Sequence, residues 1–141
     1  MNRFMIGITN LCAILLGASV SSAGSIEIKI DGVKNEEGTV RVALFESEAD
    51  FKADQPTAQQ KTLAKEGGVT IRLEDVPNGR YCIASFQDLN NNEKIDTNFV
   101  GVPKEPYGFS RNARGRFGPP AFDDMAFDVG EGTKKMEIRL E

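Results

Sequence analysis

The stretch SIEIKIDGVKNEEGTVRVALF, residues 25–45, carries the pattern that decides the fold. Ile26, Ile28 and Ile30 alternate with polar residues, and Val40, Val42 and Leu44 alternate around an outward Arg41. A period of two lines one face of a strand, whereas a helical period would scatter these positions. The intervening Asn35–Gly38 has the turn chemistry to close a first hairpin. The same period recurs in Val69–Leu73, Tyr81–Phe86, Met125–Val129 and Met136–Leu140, with Gly130–Thr133 placed to close a last hairpin. Val, Ile and Phe fill these segments, as pleated surfaces favour. The only helical signal is Ser47–Asp54, one turn capped by Ser47 and stopped by Pro56. Strands with one apolar face need a second layer, so the expected fold is all-β, an antiparallel two-sheet sandwich.

The first 23 residues read differently. Arg3 precedes a mostly apolar run from Phe4 to Val20, and Ser21 and Ala23 put small residues before a cleavage point at Gly24. The run is short for a spanning helix and is interrupted by Thr9 and Asn10. Residues 1–23 are therefore expected to be a secretory signal peptide, and 24–141 a single periplasmic or secreted domain that does not span the membrane. Cys12 lies mid-segment, unlike the cysteine of a lipoprotein signal. The exported part keeps one cysteine, Cys82, which cannot form an internal disulfide and is expected to be a small buried hydrophobe in a strand.

Composition closes off several chemistries. The chain of 141 residues has no His, which excludes a Ser-His-Asp triad, a Cys-His pair and His-containing zinc sites. No phosphate-cradling glycine motif is present. The net charge of -4 and the absence of a Lys/Arg run argue against nucleic acid; the arginines of Arg111–Arg116 are separated by Gly, Ala and Asn. Carboxylates remain: Glu105, Asp123 and Asp124 accompany Asp88 and Asp96 in or beside one long segment.

That segment, residues 88–124, lacks periodicity and is too long for an incidental connection. Phe99, Val100, Val102, Tyr107, Phe109, Phe117 and Phe122 are expected to pin it over one end of the sandwich as an ordered loop. Its first part, DLNNNEKIDTN (Asp88–Asn98), holds six Asp or Asn side chains in eleven residues. Asp88, Asn90, Asn92, Lys94 through its carbonyl, and Asp96 occupy alternating positions 1, 3, 5, 7 and 9 of a calcium loop, with Ile95 at the position that turns toward the core. Glu93 stands where such loops carry Gly, and Phe99 where they carry a bidentate Glu. Asn98, Glu105, Asp123 or Asp124 could complete the set. The alternative is a polar turn, rich in Asn because Asn forms Asx-turns and tolerates left-handed backbone.

The succession VALFESEADF (Val42–Phe51), VPNGRYCIASFQDLNNNEKIDTN (Val76–Asn98), GVPKEPYGFS (Gly101–Ser110) and FGPPAF (Phe117–Phe122) resembles a family of small secreted bacterial proteins of unassigned function. The resemblance runs from about Ile26 to the C-terminus. It implies export and a single all-β domain, and it implies no activity. The chain departs from the family pattern at Glu93, usually Gly, and at Gln87, often His. The Pro77–Tyr81 turn is similar to that of transthyretin-like and carboxypeptidase-regulatory-like sandwiches, which implies a Greek-key arrangement. The resulting expectation is a non-catalytic binding or structural module of the bacterial envelope, with a possible weak calcium site and an envelope protein or glycan as partner. The alternative is a carboxylate-based hydrolase acting on an envelope polymer such as glycan.

Overall fold

A computed structural model describes residues 23–141; the proposed signal peptide lies, but for Ala23, outside the described residues. The alternating segments form strands: β1 (Ala23–Val33), β2 (Thr39–Phe45), β3 (Ala58–Leu63), β4 (Gly67–Pro77), β5 (Gly79–Asp88), β6 (Tyr107–Phe109), β7 (Phe127–Val129) and β8 (Gly132–Arg139). Two short helices complete the set, α1 (Glu48–Lys52) and α2 (Phe122–Met125). One sheet runs in the order β4-β1-β8 and the other β3-β2-β5-β6, with β7 also on β5. The expected all-β sandwich is what forms.

Inward positions follow the period of two. Ile26, Ile28 and Ile30 are fully buried, lie beside Ile138 of their own sheet and share one core with Val40, Val42, Leu44 and Ile83 of the other. Burying one such side chain is worth roughly 1.5–3 kcal/mol, so this layer is the main source of cohesion.

Both expected hairpins are absent. β1 pairs with β4 and β8, while β2 pairs with β3 and β5, so Asn35–Gly38 crosses between sheets. Likewise β7 pairs with β5 and β8 with β1, so Gly130–Thr133 does not join neighbours. The reason is geometric. A hairpin would place the two apolar sets side by side on one sheet; stacking the strands face to face lets each set cover the other. The first sheet is mixed rather than antiparallel, because β1 and β8 run parallel.

β3 gives no periodic signal. AQQKTL becomes a strand because β2 offers it a free edge, and its exposed Gln59, Gln60 and Lys61 suit an edge position. α1 forms as expected: the Ser47 side chain accepts from the Asp50 N–H at 3.1 Å.

The long segment covers the outer face of the second sheet. There Phe45, Cys82 and Met125 form a second buried cluster, flanked by Phe51, Phe109, Ala113 and Phe122. An edge-to-face chain of rings joins Phe45 to Phe51, Phe51 to Phe109 and Phe109 to Tyr107 at 5.3, 6.2 and 5.8 Å between centroids. Tyr107, Phe109 and Phe122 thus act as the expected anchors. Phe99, Val100, Val102 and Phe117 do not; all four are exposed. Ile95, expected to point inward, is exposed as well.

β6 and β7 lie along the same edge of β5, against Ala84–Phe86 and Gly79–Tyr81 respectively. Everything from Ser110 to Ala126 is an excursion out of that edge. Buried Ser110 stitches the break: its hydroxyl accepts from the Ile83 N–H at 2.9 Å and donates to the Met125 carbonyl at 2.7 Å. The C-terminus ties the two sheets together. Leu140 N–H donates to Asp31 in β1, and Glu141 exchanges backbone hydrogen bonds of 3.1 and 3.0 Å with Tyr107 in β6. Gly108 permits this approach, since a Cβ there would stand 2.5 Å from the Arg139 carbonyl oxygen.

A candidate loop site at the end of β5

β5 ends in two fully buried polar side chains, Gln87 facing the sandwich and Asp88 facing out. Gln87 accepts from the Lys34 N–H and donates to the Asn35 and Glu37 carbonyls, which holds the inter-sheet crossing in place. Gly38, at φ +70°, closes that crossing; a Cβ there would lie 1.8 Å from the Asp88 carbonyl oxygen.

Asp88 organises the loop that follows. Its Oδ2 accepts from Arg41 Nε at 2.8 Å and from the Glu93 N–H at 2.9 Å, and its Oδ1 accepts from the Asn92 N–H at 3.2 Å. Arg41, outward on β2 as its alternation requires, reaches Asp88 because Thr39 and Asp88 are cross-strand partners two residues away. The chain turns sharply at Asn91 and Glu93, with φ 53° and 68°. A left-handed non-glycine residue costs roughly 1–2 kcal/mol, a strain the Asp88 carboxylate offsets by binding the adjacent N–H groups.

The far side is held by Glu105. This buried carboxylate accepts from the Leu89 N–H and the Asp96 N–H, both at 2.7 Å. It therefore clamps the start of the loop to its return. Between the clamps, Asn90 Nδ2 and Asn92 Nδ2 each donate to an Asp96 oxygen at 2.7 Å. Asn90 Oδ1 accepts from the Asn92 N–H and Asn92 Oδ1 from the Lys94 N–H, two Asx-turns in succession.

Of the sequence-predicted ligands, then, Asn90, Asn92 and Asp96 converge. Asp88 adjoins them through the Asn92 N–H but is engaged by Arg41, and Lys94 enters through its N–H, which donates to Asn92 Oδ1, whereas the expected ligand is its carbonyl. The candidate additional ligands fare differently. Asn98 accepts from the Val100 and Val102 N–H groups in its own turn. Asp123 pairs with Arg80 at 3.0 Å, near the opposite end of β5. Asp124 is exposed on α2. Among the described residues no three His, Cys, Asp or Glu side chains form a group suited to a metal ion. The donors around Asp96 are amides.

Comparison with protein families places the chain at this point. Residues 28–137 match the family described as an uncharacterized protein conserved in bacteria, DUF2141. The chain belongs to that family. No curated protein and no solved structure matches it. In this DUF2141 protein the covering segment and the Asp88–Asp96 loop fall within the matched residues, as do both sheets except the start of β1 and the last two residues of β8.

Arg41, Ser110 and Gln87 are the structural residues of the site that periodicity did not single out. Arg41 points outward on β2, Gln87 inward on β5, and Ser110 follows β6, and only the packed structure shows what each meets. Cys82 is fully buried, and burial pushes its thiol up to about 12, so the thiolate nucleophile is scarce near neutral pH. A groove of about 560 Å³ lies between Lys29, Thr62, Lys65 and Thr70, and no residue of the Asp88–Asn98 loop lines it. No helix among the described residues is long and apolar enough to cross a membrane.

Proposed function

We propose that this DUF2141 protein is an exported, non-catalytic binding module of the bacterial envelope whose Asp88–Asn98 loop takes calcium weakly. The observation that carries the calcium reading is the convergence of Asn90 and Asn92 on both oxygens of Asp96. A half-turn of each amide would exchange its NH2 for its oxygen and leave a hard-oxygen set with Asp96, Asp88 Oδ1 and the Lys94 carbonyl. That turn gives up the two Asx-turn hydrogen bonds at 3.3 and 3.1 Å. Arg41 beside Asp88 further opposes a cation. Both effects put the site in the weak range typical of extracellular modules.

A binding role is favoured over glycan hydrolysis by how the carboxylates are engaged. Glu105 and Asp88 hold backbone N–H groups, and Asp123 pairs with Arg80. Arg80 and Asp88 are eight strand residues apart on β5, on the order of 26 Å, whereas paired hydrolytic carboxylates work at roughly 5–9.5 Å. The partner is proposed to be an envelope protein or glycan.

Thermal melts in millimolar calcium and in chelator test the site. With a dissociation constant of ~10⁻⁴ to 10⁻³ M, calcium adds about 0.4–1.4 kcal/mol and raises Tm by roughly 2–6 °C. Magnesium does less, because it demands near-octahedral geometry and keeps its waters. Asp96→Ala is expected to remove most of the calcium-dependent shift, whatever it does to the melt in chelator. Equal wild-type Tm in both buffers would leave the loop as a polar turn. Export has its own check: protein recovered from its native host should begin at Gly24, and retention of Met1 on cytoplasmic protein would refute it.

A further inference from the structure

The loop clamped by Asp88 and Glu105 carries a second feature that a calcium site does not use. Its outer turn, Asn98–Val102, is tightly built: Asn98 N–H donates to the Val102 carbonyl, Gly101 N–H to the Asn98 carbonyl, and Asn98 Oδ1 accepts from both Val100 and Val102. Thr97 and Pro103 bridge its base. On this rigid turn Phe99 is 101% exposed, Val100 66% and Val102 54%. A Cβ added at Gly101 would meet nothing within 4 Å, so the turn projects free of the rest of the domain. Scattered exposed apolar residues are ordinary, but three of them on one ordered projecting turn call for an apolar environment.

The charges around the turn say which one. Lys94 and Lys104 flank it and are exposed. Of the acids at its base, Glu105 is buried and accepts from two backbone N–H groups, while half-buried Asp96 accepts from the amides of Asn90 and Asn92. Glu93 is exposed and lies 3.5 Å from the Arg41 guanidinium, which offsets its charge. An aromatic tip with cationic shoulders complements anionic headgroups over an acyl layer, where aromatic residues and Lys are both favoured. A protein partner would need a preformed pocket around a side chain exposed on every side; a bilayer needs none. The chain's overall charge of -4 makes other faces less suited to an anionic surface.

We propose that the Asn98–Val102 turn is a membrane-touching tip that inserts Phe99, Val100 and Val102 into an anionic bilayer surface. The insertion is shallow and reversible, since a few side chains give only weak interfacial binding. The tip is independent of calcium, so its test is made in chelator.

The chain has no Trp, which makes a single-Trp reporter specific. In the full chain, Phe99→Trp is expected to blue-shift and to be quenched by brominated acyl chains on adding vesicles of 3:1 phosphatidylethanolamine–phosphatidylglycerol. Leu63→Trp, at an exposed position on the β3 edge, is the control for attachment elsewhere and should not respond. Adding Val100→Ser and Val102→Ser to Phe99→Trp should weaken partitioning roughly tenfold. Adding Lys94→Glu and Lys104→Glu should weaken it at least as much. An unshifted Phe99→Trp overturns the proposal and leaves the tip to a protein partner. Equal responses at positions 63 and 99 overturn it too, because they place attachment outside the tip.

Discussion

Asp88→Ala is expected to lower the stability of the domain by about 3 kcal/mol, which corresponds to a fall in Tm of roughly 10–15 °C at this size. The Asp88 side chain is completely buried and Arg41's is 17% exposed, so removing the carboxylate strands a guanidinium with little water to replace its partner. It also removes the acceptor for the Asn92 and Glu93 N–H groups, and with it the compensation for the left-handed turn at Glu93. The figure sits at the low end for a broken buried ion pair because Arg41 keeps some solvent and a second contact at Glu93. Asp88→Asn retains an acceptor oxygen but loses the charge, and should fall between the two. The measurement is urea unfolding of the three proteins. A change below about 0.5 kcal/mol for Asp88→Ala would mean that the Arg41 pair contributes nothing net.

Ser110→Ala is the second large effect, about 2–4 kcal/mol. One hydroxyl satisfies the Ile83 N–H and the Met125 carbonyl, and both sit at the point where the edge of β5 is interrupted. Alanine leaves a donor and an acceptor unpaired in an apolar cluster, at about 1–3 kcal/mol each, reduced where a water can enter. Hydrogen exchange separates this from general loosening. The Ile83 amide should lose far more protection than the amides of β1, which belong to the other sheet. Uniform loss across both sheets would place the role of Ser110 in global packing instead.

Ser110 also shows where sequence reading stops. Nothing in GFSRN distinguishes a serine that bridges two strand fragments from one in a solvated turn, because the groups it joins lie 27 and 15 residues away. The same holds for Arg41 and Glu105, which meet the loop through partners distant in the chain. The exposed Phe99 and Phe117 make the converse point. Apolar character alone predicted anchors, but it is Phe51, Phe109 and Phe122 that pack on the outer face of β5, while Phe99 and Phe117 stay exposed.

What the sequence by itself determined is the set of faces. The period of two in 25–45, and in the four later segments, assigned inward residues without any knowledge of their partners, because side-chain alternation is a property of the single strand; the exception is Met125, which ends α2 and joins the outer cluster while Phe127 and Val129 face the core. The Ser47 cap is local in the same way, whereas the burial of Cys82 comes from the segment that covers the outer face of β5. Which strands pair, that β1 and β8 run parallel, that β3 exists at all, and that the Asp88 loop is clamped by Glu105 and Arg41 were decided only in the tertiary structure. Pairing depends on which apolar face can cover which other, and the buried carboxylates are placed by strands that the chain brings together over long separations.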